Sequence, residues 1–295
     1  VPDVSIRGPF RGSDAVARGI LTRGELRSSR YRRIFPDIYL GATQDLDLLT
    51  LSQGAYLLVA PIGGILAGYS AAAMLGADCA PQEASAEVLV PRHVRAHPQL
   101  VVRQGRADGP DRWSVRGCAV TSPERTAWDL ARGLPLEEAV VALDCLARRG
   151  RFAPAALLDR MISQPGARGC THLRDIVELA NPLAESAMET RLRLLLVRSG
   201  LPVPVVQHEL VCDGRVVARF DLAYPRARLA IEYDGSMHDD RLDRRRDLRT
   251  GQLGWYTARF TASDLRRPAT TVETVRRLFA VRMHRLEPNI SALGT

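Results

Sequence analysis

Four acids and one histidine in the last third of the chain carry the most specific chemical signal. Asp221 ends one predicted strand, and Glu232 and Asp234 lie two apart on the next. Strand periodicity puts Ala230, Glu232 and Asp234 on one face. Asp221 precedes Glu232 by eleven residues, so neighbouring antiparallel strands would bring the three carboxylates together. Carboxylates clustered beside a buried sheet repel one another and lose hydration unless a cation joins them. A hard divalent ion such as Mg²⁺, bound by carboxylates and water, is the usual one. His238, four residues past Asp234, is in reach as a general acid or base, and Glu189, at the start of an earlier helix, could support the site. Each acid also has a plain structural reading. Asp234-Gly235 is a turn signal, Asp221 could pair with Arg219 or Arg228, and Glu232 could meet one of many arginines.

The second signal is arginine. The 295 residues hold 41 Lys plus Arg against 33 acids, a net charge of +8, and there is no lysine among them. Every cation is therefore a planar fork suited to phosphate or guanine. Residues 1–42 hold 8 Arg against 4 acids, residues 43–182 hold 14 against 15, and residues 183–295 hold 19 against 14. Both ends are basic and the middle is neutral. Arg23 and Arg27 lie four apart on a predicted helix and share a face. Arg30, Arg32 and Arg33 flank the start of a predicted ribbon. The functional reading is contact with the phosphates and base edges of double-stranded DNA. The bland reading is a small solvated basic domain that packs against the rest.

The elements that must position these residues are legible in outline. Ser13 is expected to cap a short helix over Asp14–Arg18, closed by Gly19. Thr22 and Glu25 have capping-box spacing and open a second helix. Tyr31–Phe35, a Pro36-Asp37 turn and Ile38–Leu40 form a basic hairpin, and the whole order is that of a winged helix. Farther on, Ser122 caps a helix with Pro123 at its first position, and Arg125 and Asp129 can pair along it. His93 and His97 sit in a Pro-flanked stretch without a third ligand, so a solvated loop is expected there. After a helix over 171–180, Asn181-Pro182 marks a boundary. Beyond it a helix spans about 185–199, with Ser186 and Glu189 in capping-box spacing. Strands fall near 204–212, 215–224 and 228–234, a charged helix near 239–253, a strand near 255–261 and a helix near 270–286. The expected fold class is multidomain α/β (α+β). It has a winged helix over 1–42, a mixed α/β middle domain over 43–182, and a restriction-endonuclease-like αβββαβα domain over 183–295.

The five cysteines are scattered without CxxC spacing and read as reduced thiols of a cytoplasmic protein. No apolar run of about 18 or more residues appears, so no membrane span or membrane partner is expected. No secretory signal is visible at the start of the chain.

Two resemblances follow from these residues. RGSDAVARGILTRGEL…YRRIFPDIYLGA is similar to the N-terminal winged helix of AbiEi-type antitoxins of abortive-infection, type IV toxin–antitoxin systems, with Asp37-Ile38-Tyr39 in place of a Gly-Val-Tyr end. Ser70–Gly76 and Thr121–Leu130 resemble two recurrent stretches of the same family. That likeness implies a transcriptional autoregulator and a nucleotidyltransferase-type toxin encoded nearby. RFDLAYPRARLAIEYDGSMH, with Asp243, Arg246 and GWYTAR, resembles the very-short-patch-repair branch of the PD-(D/E)XK nuclease superfamily. The resemblance places Asp221 and Glu232 at metal-ligand positions. Asp234 stands where most of the superfamily has Lys, while His238, Asp243, Arg246 and Glu189 match residues of the branch.

Two functions therefore compete. The first is a DNA-binding antitoxin and autoregulator that contacts DNA through Arg23, Arg27, Arg30, Arg32 and Arg33 and needs no cofactor. The alternative is a Mg²⁺-dependent DNA endonuclease with Asp221, Glu232, Asp234, His238 and Glu189 as its catalytic set. A protein-binding scaffold is a third option, which no residue pattern favours.

Overall fold

The structure is a computed structural model and describes residues 6–235 and 240–286; the side chains described are those of residues 6–235 and 245–285. Two compact units divide the chain, residues 1–178 and 179–295. Both are mixed α/β.

The first unit opens with β1 (Phe10–Arg11), α1 (Gly12–Ala17), α2 (Arg23–Leu26), β2 (Tyr31–Phe35) and β3 (Ile38–Gly41). The strands form a small antiparallel sheet in the order β1-β3-β2. The expected capping box opens α2: the Thr22 hydroxyl accepts from the Glu25 amide at 3.1 Å, and the Glu25 carboxylate accepts from the Thr22 amide at 2.7 Å. At α1 the expectation needs correction, because Ser13 lies inside the helix and does not cap it. The cap comes from Asp37, in the hairpin turn 24 residues on. Its carbonyl accepts from the Gly12 amide at 2.8 Å and its carboxylate from the Ser13 amide at 3.0 Å. Asp37 sits at φ 60, a left-handed conformation that costs most side chains and that Asp tolerates.

The hairpin's inner residues Ile34, Phe35, Ile38 and Leu40 are buried in one core with Leu51, Ala55 and Val59 of α3 (Leu48–Val59). Arg11 also donates to the Leu57 carbonyl of that helix. The head thus shares a core with the segment that follows it. That segment builds β4 (Ile65–Leu66), α4 (Gly68–Met74), β5 (Ala86–Val90), β6 (Leu100–Gln104), β7 (Arg112–Val115) and β8 (Cys118–Thr121). The sheet order is β6-β5-β4-β8-β7. Composition follows position: β5 and β8 lie inside and are wholly buried, whereas edge strand β7 carries exposed Arg112, Trp113 and Ser114. Glu87 of β5 is buried at 5% exposure, held by the Tyr69 amide at 3.0 Å and by Arg103 at 3.0 Å. Gly68, at φ +50, is needed there, since a Cβ would stand 2.3 Å from the Glu87 carboxylate.

Helices α5 (Pro123–Ala131), α6 (Leu136–Gly150), α7 (Ala156–Ser163) and α8 (Leu173–Leu179) complete the segment. Ser122 caps α5 with Pro123 behind it, and Arg125 meets Asp129 at 2.8 Å, as expected. Arg125 also reaches Asp111 at 2.9 Å, and Asp111 takes both arms of Arg160 from α7. Burial alone would raise the Asp111 carboxyl, but hydrogen bonds from Arg160 and Arg125 outweigh it and hold the group below the usual carboxylate range. His97 lies in the expected loop, its ring 4.9 Å from that of Phe35.

The second unit contains α9 (Ala187–Arg198), β9 (Val205–Cys212), β10 (Arg215–Tyr224), β11 (Leu229–Tyr233), α10 (Asp240–Gln252), β12 (Tyr256–Phe260), α11 (Ala262–Leu265) and α12 (Pro268–Leu286). The expected α-β-β-β-α-β-α order is present, with the single turn α11 added. The sheet runs β12-β11-β10-β9, antiparallel except for the parallel pair β11/β12. Leu192 and Leu196 of α9 and Val272 and Val275 of α12 pack on Leu222, Leu229 and Ile231. Phe220, Ala230 and Trp255 form a separate cluster. Among the described residues no helix is long and apolar enough to cross a membrane.

Asp111 joins β7, α5 and α7, so its charge should be felt in stability. Asp111→Asn is expected to cost about 2 kcal/mol, the loss of charge-assisted hydrogen bonds to two arginines. A carboxyl held below its unfolded value contributes fully at neutral pH and loses that contribution as pH falls through the lowered value. Chemical denaturation of both proteins from pH 7 to 3 should therefore show a gap that narrows with acid. A constant gap would contradict this assignment.

Candidate nucleic-acid interface and carboxylate cluster

Arg23 and Arg27 project from α2 and its C-terminal end, and Arg33 from β2; all three are exposed. Among the described residues no carboxylate lies within ion-pair distance of them. The reason is local. Two of the head's acids are engaged inside it: Asp37 caps α1 and lies 3.6 Å from Arg11, and Glu25 closes the capping box. The Thr22 amide and hydroxyl hold the Glu25 carboxyl below its usual range. Arg23 and Arg27 line an open groove of about 420 Å³ with Val16, Ala17, Leu26, Tyr39 and a single acid, Asp37.

The other two candidates differ. Arg30 reaches Glu25 at 3.5 Å and is otherwise exposed. Arg32 is half-buried and donates to the Gln44 carbonyl. The Gln44 side chain in turn holds the Gly8 amide at 2.8 Å and the Ile6 carbonyl at 2.9 Å. Arg32 is thus a fastening of the N-terminal segment, whereas Arg23, Arg27 and Arg33 face outward.

A second arginine-lined groove has no counterpart among the sequence expectations. Arg92, Arg106 and Arg112 border a depression of about 270 Å³ with Ile62, Gly63 and a single acid, Asp108. Trp113, 47% exposed, follows Arg112 on the edge strand. These arginines come from separate turns and strand ends, so no spacing in the chain announces them.

In the second unit, Leu222 pairs with Ile231 across β10 and β11, so Asp221 and Glu232 are adjacent across the strands. Their surroundings are cationic on one side. Arg259 of β12 is the register partner of Glu232 and approaches its Oε2 at 3.4 Å. Arg246 of α10 donates to Oε1 of the same carboxylate and to the Arg219 carbonyl at 2.8 Å. Asp247 takes both arms of Arg259 at 2.7 Å each. Asp221 Oδ2 accepts the Tyr233 amide at 3.0 Å. Arg219 pairs instead with Glu185 at 3.0 Å.

Burial pushes the Glu232 carboxyl up against the pull of Arg246 and Arg259. It also pushes Asp221 up, with the Tyr233 amide opposing and Glu232 adding to the shift. Glu189 is raised by burial too, opposed by the Glu185 amide and reinforced by Asp221. The capping box expected at α9 takes a modified form. Ser186 accepts from the Glu189 amide at 3.1 Å, but the Glu189 carboxylate reaches back to the Glu185 amide at 2.9 Å and across to Gln207 at 2.8 Å. Asp234 follows the end of β11, its amide donating to the Phe260 carbonyl at 2.8 Å. His238 and the side chain of Asp243 lie outside the described residues. Among the described residues no group of three or more His, Cys, Asp or Glu is placed to hold a metal ion.

Comparison with known proteins gives two relatives and one family match. Two uncharacterized proteins from two strains of Mycobacterium tuberculosis are each 32% identical to the chain over 179 residues, 59% of this chain and 66% of each relative. The chain thus spans just under two thirds of the length of these relatives. No solved structure matches it. Residues 63–179, from the turn before β4 to the end of α8, match the family described as the AbiEi antitoxin C-terminal domain.

Proposed function

We propose that this protein is a DNA-binding regulator of the toxin–antitoxin type, which holds duplex DNA through the arginine surface of its N-terminal head. The match of residues 63–179 to an antitoxin domain supports the regulatory role. The observation that carries DNA binding is the exposure of Arg23, Arg27 and Arg33 in a head whose Glu25 and Asp37 are engaged elsewhere. Uncompensated guanidinium forks on a small helix-and-hairpin surface suit a phosphate backbone. In this reading α2 presents Arg23 and Arg27 to the duplex as a winged helix would, the hairpin supplies Arg33, and Arg30 reaches outward beside Glu25. The Arg92, Arg106 and Arg112 groove extends the basic surface of the same unit. The toxin it opposes is of the nucleotidyltransferase type that the family resemblance implies, and the setting is the cytoplasm. Mg²⁺-dependent cleavage is supported only by the order of elements in the second unit and the adjacency of Asp221 and Glu232.

A gel-shift series with duplex from the chain's own upstream region tests the reading. Replacing both Arg23 and Arg27 with Ala should weaken binding and make the slope of log K against log salt shallower by about 2, close to one unit for each phosphate left without its arginine. An unchanged slope would remove these residues from the interface.

Arg32 and Arg33 should separate in the same assay. Arg33→Ala is expected to weaken DNA binding and leave thermal stability within about 0.5 kcal/mol. Arg32→Ala should lower stability by about 1–2 kcal/mol, because the Gln44 carbonyl then has no guanidinium to accept from. The check is a thermal melt of each variant beside its gel shift. Equal behaviour of the two variants would show that the inward and outward placements make no difference.

A further inference from the structure

The adjacency of Asp221 and Glu232 is the arrangement to which the sequence resemblance assigns a divalent cation. The residues around this pair do not fit such an ion. Glu232, 7% exposed, has Arg246 on one oxygen and Arg259 on the other. Asp221 gives Oδ2 to the Tyr233 amide, and Glu189 gives Oε2 to Glu185 and Gln207. A cation already stands on the Glu232 carboxylate. We infer that Arg246 is a tethered replacement for the metal: its guanidinium neutralises the Asp221–Glu232 pair and docks α10, so the second unit folds without a divalent ion and does not bind one there.

Three interactions fix the group. Arg246 donates to the Glu232 carboxylate and to the Arg219 carbonyl, and its guanidinium carbon lies 5.5 Å from the centre of the Phe220 ring. A guanidinium stays charged at any pH a protein survives, so this neutralisation does not depend on solution metal. Of the described side chains of α10 only Thr250 is buried, and Leu248 is 69% exposed. Two of its charged groups are paired: Arg246 meets Glu232, and the next residue, Asp247, takes both arms of Arg259. Arg259 in turn bridges Asp247 and Glu232. Two arginines and two carboxylates thus join α10 to β11 and β12. Removing an arginine from the buried Glu232 leaves that carboxylate less compensated, which is more damaging than removing both partners.

The test uses the full chain. Mn²⁺ titration followed by electron paramagnetic resonance should leave the free-ion signal of the wild-type protein undiminished to about 1 mM, a range in which functional metal sites fill. Melts in metal-free buffer give the second readout. Glu232→Gln and Arg246→Ala should each lower the transition of the second unit by about 5 °C, and the double variant should recover a large part of that loss. A metal site predicts the opposite for Glu232→Gln, because removing one of two repelling carboxylates raises the metal-free melting temperature. Stoichiometric Mn²⁺ binding that disappears in Glu232→Gln would overturn the inference, as would a rise in the Glu232→Gln melt. Should Arg246→Ala fail to fold, the wild-type titration and the Glu232→Gln melt decide the matter without it.

Discussion

Whether a guanidinium has a carboxylate of its own decides what each part of this protein can do. With no lysine in the chain, all its side-chain cations other than protonated histidine are arginines. Where the acid is buried, the arginine becomes part of the scaffold: Arg160 and Arg125 on Asp111, Arg103 on Glu87, Arg246 and Arg259 on Glu232. Where nearby acids are already occupied by backbone amides, the arginine is left for something outside. The head is built in the second way. Its Asp37 and Glu25 are consumed as helix caps, which leaves Arg23 and Arg27 uncompensated although they lie within a few residues of Glu25.

The second unit is built in the first way. Asp221 and Glu232 are neighbours across β10 and β11, yet the sheet brings a cation with them. The parallel register of β11 and β12 puts Arg259 beside Glu232, and α10 lays Arg246 on the other oxygen of the same carboxylate. Desolvation of three carboxylates, Glu189, Asp221 and Glu232, raises all of them, and the arginines oppose that shift only at Asp221 and Glu232. An order of elements does not by itself carry chemistry.

Local rules made much of the fold legible. The Thr22–Glu25 box and the Ser122-Pro123 start of α5 depend on residues within a few positions of each other. Both formed as the spacing required. What could not be read depended on distant pairs. Asp37 displaces Ser13 as the cap of α1 because the hairpin folds back onto the helix, and nothing within four residues of Ser13 reveals it. Glu189 was legible as a helix-start residue but not as the partner of Gln207, eighteen residues on. The fates of Arg32 and Arg33 diverge by one strand position: one turns to Gln44 and the other to solvent. Strand alternation predicts that the two differ, but not which of them the neighbouring segment captures.

The shared core of the head and the segment after it has a consequence for regulation. Ile34, Phe35, Ile38 and Leu40 pack with α3 and with Val88 and Val90 of the larger sheet, so the basic hairpin is fastened to the scaffold that carries residues 63–179. Close-packed interiors transmit displacement because side chains have no slack to absorb it. A force on the hairpin is therefore resisted by the strands β5 and β8 and the helices behind them, which gives the outward arginines fixed spacing. Fixed spacing matters for a polyanion whose charges repeat at set intervals, since forks held in place lose less freedom on binding than forks on a loose arm. The head is small, but its rigidity is that of the whole first unit.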